Sequence, residues 1–577
     1  MKRLLCRVFI SLVGLCFAVR TSGADLNVYN MEAIMKDPLD AAVLKSTEKD
    51  GIVTEEVEFT ADKDAEGKPI RIFGIIAFPK GASKLPAIMW GQSGMYAAGT
   101  WAPHLFAKKG YVGFNITAPI EKWNAYGSFN VSEPQNANLV RYTIEHMRAI
   151  TYLCSRPEVD PERIGMGGSS YGGVYATLIA GIDPRVKAGM SFFAGGAHYL
   201  GSNLPQFTGL KSKEEIEIFK QVADGATWIK KRNVPFLWGI AANDHWFHLS
   251  AVVKTFEESP GEKRMAILPF WAHGFPENVD NQLLDWFDVY LTKTRAPYNE
   301  VSTMAVTNES EKLFASWSWK GANKVKRAEL IVSWGRVLPW HGWVHRYYHV
   351  IPADINQEKQ TAKAEIPVPE LDMEALVLGN IIDEKEVIIS SVPITIVPSK
   401  FGMKKPQNKP VVNAFPYGDF EPADIDFFVR AGDPYGTVDK EIKHSGTQSI
   451  RIETPGEPFG IKLFNVPERG HKLSLWLRAE RETTVSVQVK GVYPQNWNTP
   501  GVQVVLKDIP GALPIPTQEE MPSFEMKADL NTDWKKIELN CPYAGKAVEG
   551  YRLVLTGNKE NPVKYWLDEV KFEVQWQ

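Results

Sequence analysis

Arg163-Ile-Gly-Met-Gly-Gly-Ser-Ser-Tyr-Gly-Gly173 crowds glycines around a pair of serines, and within it Gly168-Ser-Ser-Tyr-Gly172 fits G-x-S-x-G with Ser170 at the centre. An apolar run, Ile164–Met166, precedes it and a helical run, Val174–Ala180, follows. A sharp strand-to-helix turn of this kind needs glycines because the backbone is crowded around a strained serine. It would present Oγ at the end of a sheet and at a helix N-terminus, where developing negative charge is favoured. A serine hydroxyl is a weak nucleophile until a base takes its proton, so an acid and then a histidine are required downstream. Asn243-Asp244 lies just past the apolar strand Val234–Ile240, and His273-Gly274 just past Met265–Leu268. The chemistry this permits is acyl transfer, with Ser170 as nucleophile, His273 as general base then acid, and Asp244 orienting and stabilising the imidazolium.

An oxyanion needs backbone N–H donors already aimed at it. Tyr171, directly after the nucleophile, supplies one; the other comes from Gly91-Gln-Ser-Gly94, with Gln92 preferred and Ser93 the alternative. His245 and His248 sit beside the acid but do not follow the last strand, so they are read as lining the pocket or bonding locally. Asp280 and Asp285 fall on the helix after His273 and are read as solvated, and Asp183 in Asp-Pro as a turn residue. No H-E-x-x-H, paired-cysteine motif or G-x-x-x-x-G-K-[ST] is present, so neither a catalytic metal nor nucleotide hydrolysis is indicated.

From Thr54 to about Leu291 short apolar strands alternate with helices: Ile70–Phe78, Ala87–Trp90, Tyr111–Ile116, Arg163–Met166, Ala188–Phe193, Val234–Ile240 and Met265–Leu268 read as strands, and Asn136–Cys154 as the clearest helix. Several strands are continuous apolar runs, which predicts a doubly wound, mostly parallel sheet covered on both faces. Segment Gly195–Lys231 is longer than a simple crossover and predicts a cap, with Tyr199, Phe207 and Trp228 shaping the pocket or packing the cap. From about Glu300 period-two alternation takes over, as in Ala328–Trp334 and Val387–Val392. The boundaries that follow are 1–24 for an export segment, 25–298 for the catalytic unit, 301–398 for a β-sandwich of immunoglobulin or fibronectin size, 399–410 for a basic, Pro-bearing linker, and 411–577 for a second β-rich unit.

The first 24 residues combine a positive start (Lys2, Arg3, Arg7), the apolar stretch Val8–Val19 and small residues at Ser22-Gly23-Ala24, as a cleaved signal peptide does. The apolar stretch is too short to span a bilayer core of ~30 Å as a helix. Secretion or a periplasmic location is expected, with no transmembrane anchor after cleavage. Lys and Arg number 65 against 68 Asp and Glu in the whole chain, and cleavage removes four bases and no acid, so no positive field points to nucleic acid. Cys154 and Cys541 remain, in different units, and do not indicate a disulfide framework. The 577 residues leave room for several cores, and 18 Trp supply large aromatic side chains to fill them.

Asp160-Pro-Glu-Arg-Ile-Gly-Met-Gly-Gly-Ser-Ser-Tyr-Gly-Gly173, with Asp244 and His273, resembles α/β-hydrolases of the dienelactone hydrolase, acetyl xylan esterase and prolyl oligopeptidase group over residues 54–295. A hydrolase followed by a β unit with Trp319, Arg346 and the Ser390-Ser391 strand also resembles the PhoPQ-activated pathogenicity-related proteins. The C-terminal unit is similar to galactose-binding-like jelly rolls, including carbohydrate-binding modules. The matching segments are Asn413–Glu421, His444–Arg451, Leu473–Ala479, Asp533–Lys536 and Trp566–Val570. That likeness implies a structural calcium held by Glu421 and Asp568, a chemistry that suits carboxylate oxygens. It also makes Trp497 a candidate sugar platform, with Tyr493 and Trp534 beside it, whereas Trp476 reads as packed.

The combined expectation is an exported serine hydrolase needing no catalytic cofactor, acting on an acylated sugar or polysaccharide and removing its acetyl groups. A prolyl oligopeptidase-type peptidase is the first alternative, although residues 25–53 are too few for the propeller that usually precedes such a domain. A non-catalytic glycan-binding surface protein on a retained hydrolase fold is the second.

Overall fold

The computed structural model describes residues 28–63, 67–93, 97–117, 129, 131–202, 209–271, 273–274, 280–336, 345–416, 418–421, 436–453, 458–493, 517–546 and 548–577. The export segment and Trp497 therefore lie outside the described residues, as does most of the Pro-flanked loop around Trp497.

Nine strands form the first sheet: β1 (Ala42–Lys49), β2 (Ile52–Lys63), β3 (Pro69–Pro79), β4 (Leu85–Gly91), β5 (Val112–Ile116), β6 (Val159–Ser169), β7 (Val186–Phe192), β8 (Phe236–Ala241) and β9 (Lys263–Leu268). They lie in the order β1-β2-β3-β5-β4-β6-β7-β8-β9. The pairs from β1 to β5 are antiparallel, and from β5 onward every pair is parallel. All residues of β5 and β8 are buried, which is why these segments are apolar without alternation. Helices Asn138–Ser155 and Tyr171–Ile182 cover the sheet. This is the strand order and polarity of an α/β-hydrolase, preceded by one extra hairpin strand. That strand, β1, is exposed at all eight residues, so it carries no apolar alternation to announce it.

The middle unit has two antiparallel sheets. One runs β10 (Glu300–Val301), β12 (Lys312–Lys320), β16 (Thr361–Ile366), β15 (Asp354–Asn356), with β11 (Ala305–Glu309) also on β12. The other runs β14 (His349–Pro352), β13 (Val325–Trp334), β17 (Ala375–Asp383), β18 (Ile388–Ser390), with β19 (Ile394–Ile396) also on β17. Leu313, Ala315, Trp317 and Trp319 alternate inward on β12. Every residue of β17 is buried, because its second face packs on the catalytic unit, where Leu376 and Leu378 join the hydrolase core. The C-terminal unit pairs β20 (Gly436–Asp439), β21 (Ser449–Ile452), β28 (Tyr565–Gln575), β23 (Gly470–Ala479) and β26 (Lys535–Cys541) in one sheet. A second sheet holds β22 (Phe459–Leu463), β27 (Gly550–Thr556), β24 (Thr483–Val492) and β25 (Ser523–Leu530).

Two expectations change. Residues 399–410 are not a free linker: Met403 is buried, and Gln407 exchanges backbone hydrogen bonds with Val368 at 2.8 and 2.9 Å. Asp285 is not solvated but pairs with Arg295, which a reading by helical position alone could not reveal. The predicted cap contains helices Lys213–Ala223 and Gly225–Ile229. Among the described residues no helix is long and apolar enough to cross a membrane.

Candidate active site

β6 ends at Ser169, and the helix starting at Tyr171 leaves Ser170 alone to turn the chain, at φ 56° and ψ −125°. Such a backbone costs a non-glycine residue about 1–3 kcal/mol and persists only where its surroundings fix it. Here they do: Ser170 N–H donates to Phe192 O at 2.8 Å, and Ser170 O accepts from Gly173 N at 2.9 Å. The flanking glycines are sterically required. A Cβ on Gly172 would lie 1.9 Å from Gly91 O, and one on Gly168 would lie 2.3 Å from Gly172 C.

The contact of Gly172 with Gly91 also sets the oxyanion candidates, since it seats the end of β4 against the start of the nucleophile helix. Gln92 and Tyr171, the residues directly after Gly91 and Ser170, are thereby brought to one place. The Ser93 side chain pins the loop to the turn: its Oγ meets Ser169 Oγ at 2.6 Å and donates to Ser169 O at 3.1 Å. The Gln92 side-chain amide donates to Ala97 O at 3.0 Å.

Asp244 follows β8 and His273 follows β9, and His273 Nδ1 lies 2.8 Å from Asp244 Oδ2. The carboxylate is buried and its other oxygen accepts from Trp246 N at 2.8 Å and Phe247 N at 2.9 Å. An acid held this way fixes the proton on Nδ1 and leaves Nε2 as the lone-pair nitrogen, able to take a proton. Phe193 stands 5.4 Å and Phe247 6.0 Å from the His273 ring, centroid to centroid. Phe193 follows directly on the carbonyl that holds Ser170 N–H, and Phe247 also contacts Tyr171 at 6.1 Å, so both aromatics bridge the serine turn to the imidazole.

His245 stands beside the dyad. The His245 ring lies 5.9 Å from that of His273. Burial above all pushes its pKa down to about 4, against the pull of Asp244, so it stands neutral beside the dyad. His248 is buried ahead of the helix Leu249–Glu258, and burial lowers its pKa also. Asp183 is buried and pairs with Arg185, a structural turn.

The sequence did not signal that the middle unit braces both loops. Asn243 Nδ2 donates to Arg346 O at 2.9 Å, and Tyr348 OH to Ala242 O at 3.3 Å. The Arg346 guanidinium is buried on the carbonyls of Ser333, Trp334, Gly335 and Arg336. On β9, Ile267 N–H donates to Ser390 Oγ at 2.8 Å and Ile267 O accepts from Asn380 Nδ2 at 3.1 Å, which closes the edge of the strand carrying the histidine loop. Arg346 and Ser390 were visible only as points of resemblance, because contacts this remote in sequence leave no spacing pattern.

In the C-terminal unit Glu421 and Asp568 meet one loop. Glu421 accepts from the N–H of Thr447 and Gln448, and Asp568 from the N–H of His444 and Ser445. Asp568 is fully buried, and burial raises its pKa against the pull of the Ser445, His444 and Glu569 N–H groups. Among the described residues no three His, Cys, Asp or Glu side chains converge as a metal site, so any cation there would draw further oxygens from backbone or solvent. Trp476 stacks on His444 at 3.8 Å, and Trp534 meets the same ring edge-on at 5.6 Å.

No protein-family model matches the chain. Over 166 residues it is 26% identical to the acetyl esterase Axe7A of Xylanibacter ruminicola, a match spanning 24% of this chain and 38% of that protein. Over 78 residues it is 33% identical to the thiohydrolase apmlB of Arthrinium phaeospermum, spanning 14% of this chain and 25% of that one. The chain thus spans well under half the length of these curated relatives. Among solved structures, an acetyl xylan esterase from Paenibacillus sp. R4 is similar with 20% identity and a TM-score of 0.41, covering 46% of this chain and 94% of that one. A putative dienelactone hydrolase from Klebsiella pneumoniae is similar with 15% identity and a TM-score of 0.32, covering 41% and 99%.

Proposed function

We propose that the chain is an exported serine hydrolase that removes acyl groups, acetyl foremost, from an esterified polysaccharide. The observation that carries this reading is the 2.8 Å pair of His273 Nδ1 with Asp244 Oδ2, on the same sheet end as the positive-φ turn of Ser170. In the reading, His273 Nε2 takes the Ser170 hydroxyl proton as Oγ adds to the ester carbonyl. The developing oxyanion faces the N–H groups of Gln92 and Tyr171. His273 then gives its proton to the departing sugar hydroxyl, leaving an acyl-serine, and a water activated by the same imidazole releases the carboxylic acid. The acetyl esterase relative supports the ester class, and the likeness of the C-terminal segments to carbohydrate-binding modules supports a glycan. The middle unit is read as an immunoglobulin-like sandwich. The C-terminal unit is read as a jelly roll that keeps the enzyme near its substrate, with Trp497 as sugar platform and a structural calcium on Glu421 and Asp568.

The direct test is turnover of 4-nitrophenyl acetate by the full chain and by Ser170→Ala. Loss of turnover by about 10³-fold or more is expected, in keeping with the cost of removing a triad member. Undiminished turnover in the variant would refute the reading.

A further inference from the structure

Both β units reach the catalytic rim, where Phe270, just before the histidine loop, packs 5.2 Å from Tyr347 and 5.3 Å from Phe464. The main chain of His345 is tied to the C-terminal unit: Asn465 N–H donates to His345 O at 2.5 Å, and Asn465 Nδ2 to Val548 O at 3.3 Å. Gly550 presses so closely on this residue that a Cβ there would lie 2.2 Å from the His345 Cβ. The packing brings the carboxylate of Glu549 to 3.8 Å from His345 Nδ1. Lys462 stands on β22, which pairs with β27 directly after Glu549. Burial lowers the pKa of Lys462, and Glu549 is the countercharge that raises it. On the catalytic side, the His245 ring lies 5.9 Å from that of His273, and its lowered pKa carries small contributions from Lys462 and His345 after burial, Asp244 and His273. The next residue of His345, Arg346, receives the Asn243 side chain that precedes Asp244, so the cluster is bolted to the acid loop.

A second observation points to a ligand. His345 is only 6% exposed, and apart from the 3.8 Å approach of Glu549 to Nδ1 neither ring nitrogen has a hydrogen-bond partner among the described residues. A buried imidazole without partners is costly, and buried polar groups in folded proteins are normally satisfied. Lys462 and Glu549 keep partial exposure beside it. The cluster offers a cationic donor, an anionic acceptor and a ring able to do either. Because the two charges oppose each other, it has no net field to select an anion. Adjacent hydroxyls, each a donor and an acceptor, match that inventory.

We propose that His345, Lys462 and Glu549, with His245, form a subsite for the vicinal hydroxyls of a neutral sugar residue on the alcohol side of the ester. The proposal rests on the ester-hydrolase reading and adds the residues that choose the alcohol. The two β units would then build part of the substrate cleft as well as tether the enzyme.

The test compares two esters on the full chain: acetylated xylo-oligosaccharide, which carries the sugar, and 4-nitrophenyl acetate, which does not. In Lys462→Met and Glu549→Gln, kcat/KM for the glycan should fall at least tenfold more than for the aryl ester, chiefly through KM. A ratio that stays within twofold of wild type in both variants would overturn the subsite. So that poor folding of one variant does not decide the matter, calorimetric binding of unacetylated xylotriose to Ser170→Ala is measured alone and combined with Glu549→Gln. Weakening by fivefold or more supports the subsite, and equal binding overturns it. Wild-type chain without Ser170-dependent hydrolysis of either ester would instead sink the hydrolase reading, a result separable from an unchanged ratio.

Discussion

Asp244 shows how much of a residue's role its position reveals. Its place after an apolar strand sufficed to pair it with His273, but its two backbone partners, Trp246 and Phe247, follow from a tight local turn that no motif encodes. Asp244→Asn would leave that turn in place while removing the acceptor that fixes the imidazole proton on Nδ1. A kcat loss of about 10³–10⁴-fold with a small KM change is expected on 4-nitrophenyl acetate, and a loss under tenfold would remove Asp244 from the account. Buried histidines contribute to the acid response, His471 among them. His471 is buried against Phe572, 4.4 Å away and parallel, and burial pushes its pKa down to about 3. The unfolded chain therefore takes up a proton there near pH 6.5 that the folded chain refuses. This contribution to stability is complete above pH 6.5 and is lost as pH falls toward the folded value. His471→Leu should shrink the drop in Tm between pH 7 and pH 5, measured by circular dichroism melts; an unchanged drop would assign the acid response elsewhere.

At the scale of elements, the parts most legible in the sequence were those whose neighbours in the chain are also their neighbours in space. The serine turn is the clearest case: Gly168 and Gly172 are dictated by contacts within the turn and with Gly91. By contrast β1 was missed because exposure on both faces erases the period-two pattern, and the 399–410 segment was misread because its basic, polar composition hid a backbone pairing with Val368. The bracing of the acid loop by Asn243 and Arg346 was equally invisible. If that brace positions Asp244, Asn243→Ala should lower kcat about tenfold with little change in KM, and Tm should fall by a few degrees, as expected for losing one buried hydrogen bond. A fall in Tm with unaltered kcat would make the contact purely structural.

For the whole molecule, one continuous apolar core joins the three units. Phe270, just before the histidine loop, packs 5.2 Å from Tyr347 and 5.3 Å from Phe464, while Trp334 meets Trp576 at 5.4 Å. The change in periodicity near residue 300 and the composition of 399–410 suggested where units begin, but the closeness of the units was not legible, since composition says nothing about which faces meet. If Glu421 and Asp568 hold a calcium, EDTA should lower the Tm of the C-terminal transition while 4-nitrophenyl acetate turnover at 25 °C persists; Tm unmoved by EDTA and by added calcium would remove the ion. The claim on which the rest depends is that Ser170 is a nucleophile activated by His273. Reaction of the folded full-length chain with a fluorophosphonate, followed by peptide mapping by mass spectrometry, tests it most directly. One adduct is expected, on Ser170, absent in His273→Ala. An unlabelled Ser170 in the folded wild-type chain, or equal labelling in the His273 variant, would contradict it.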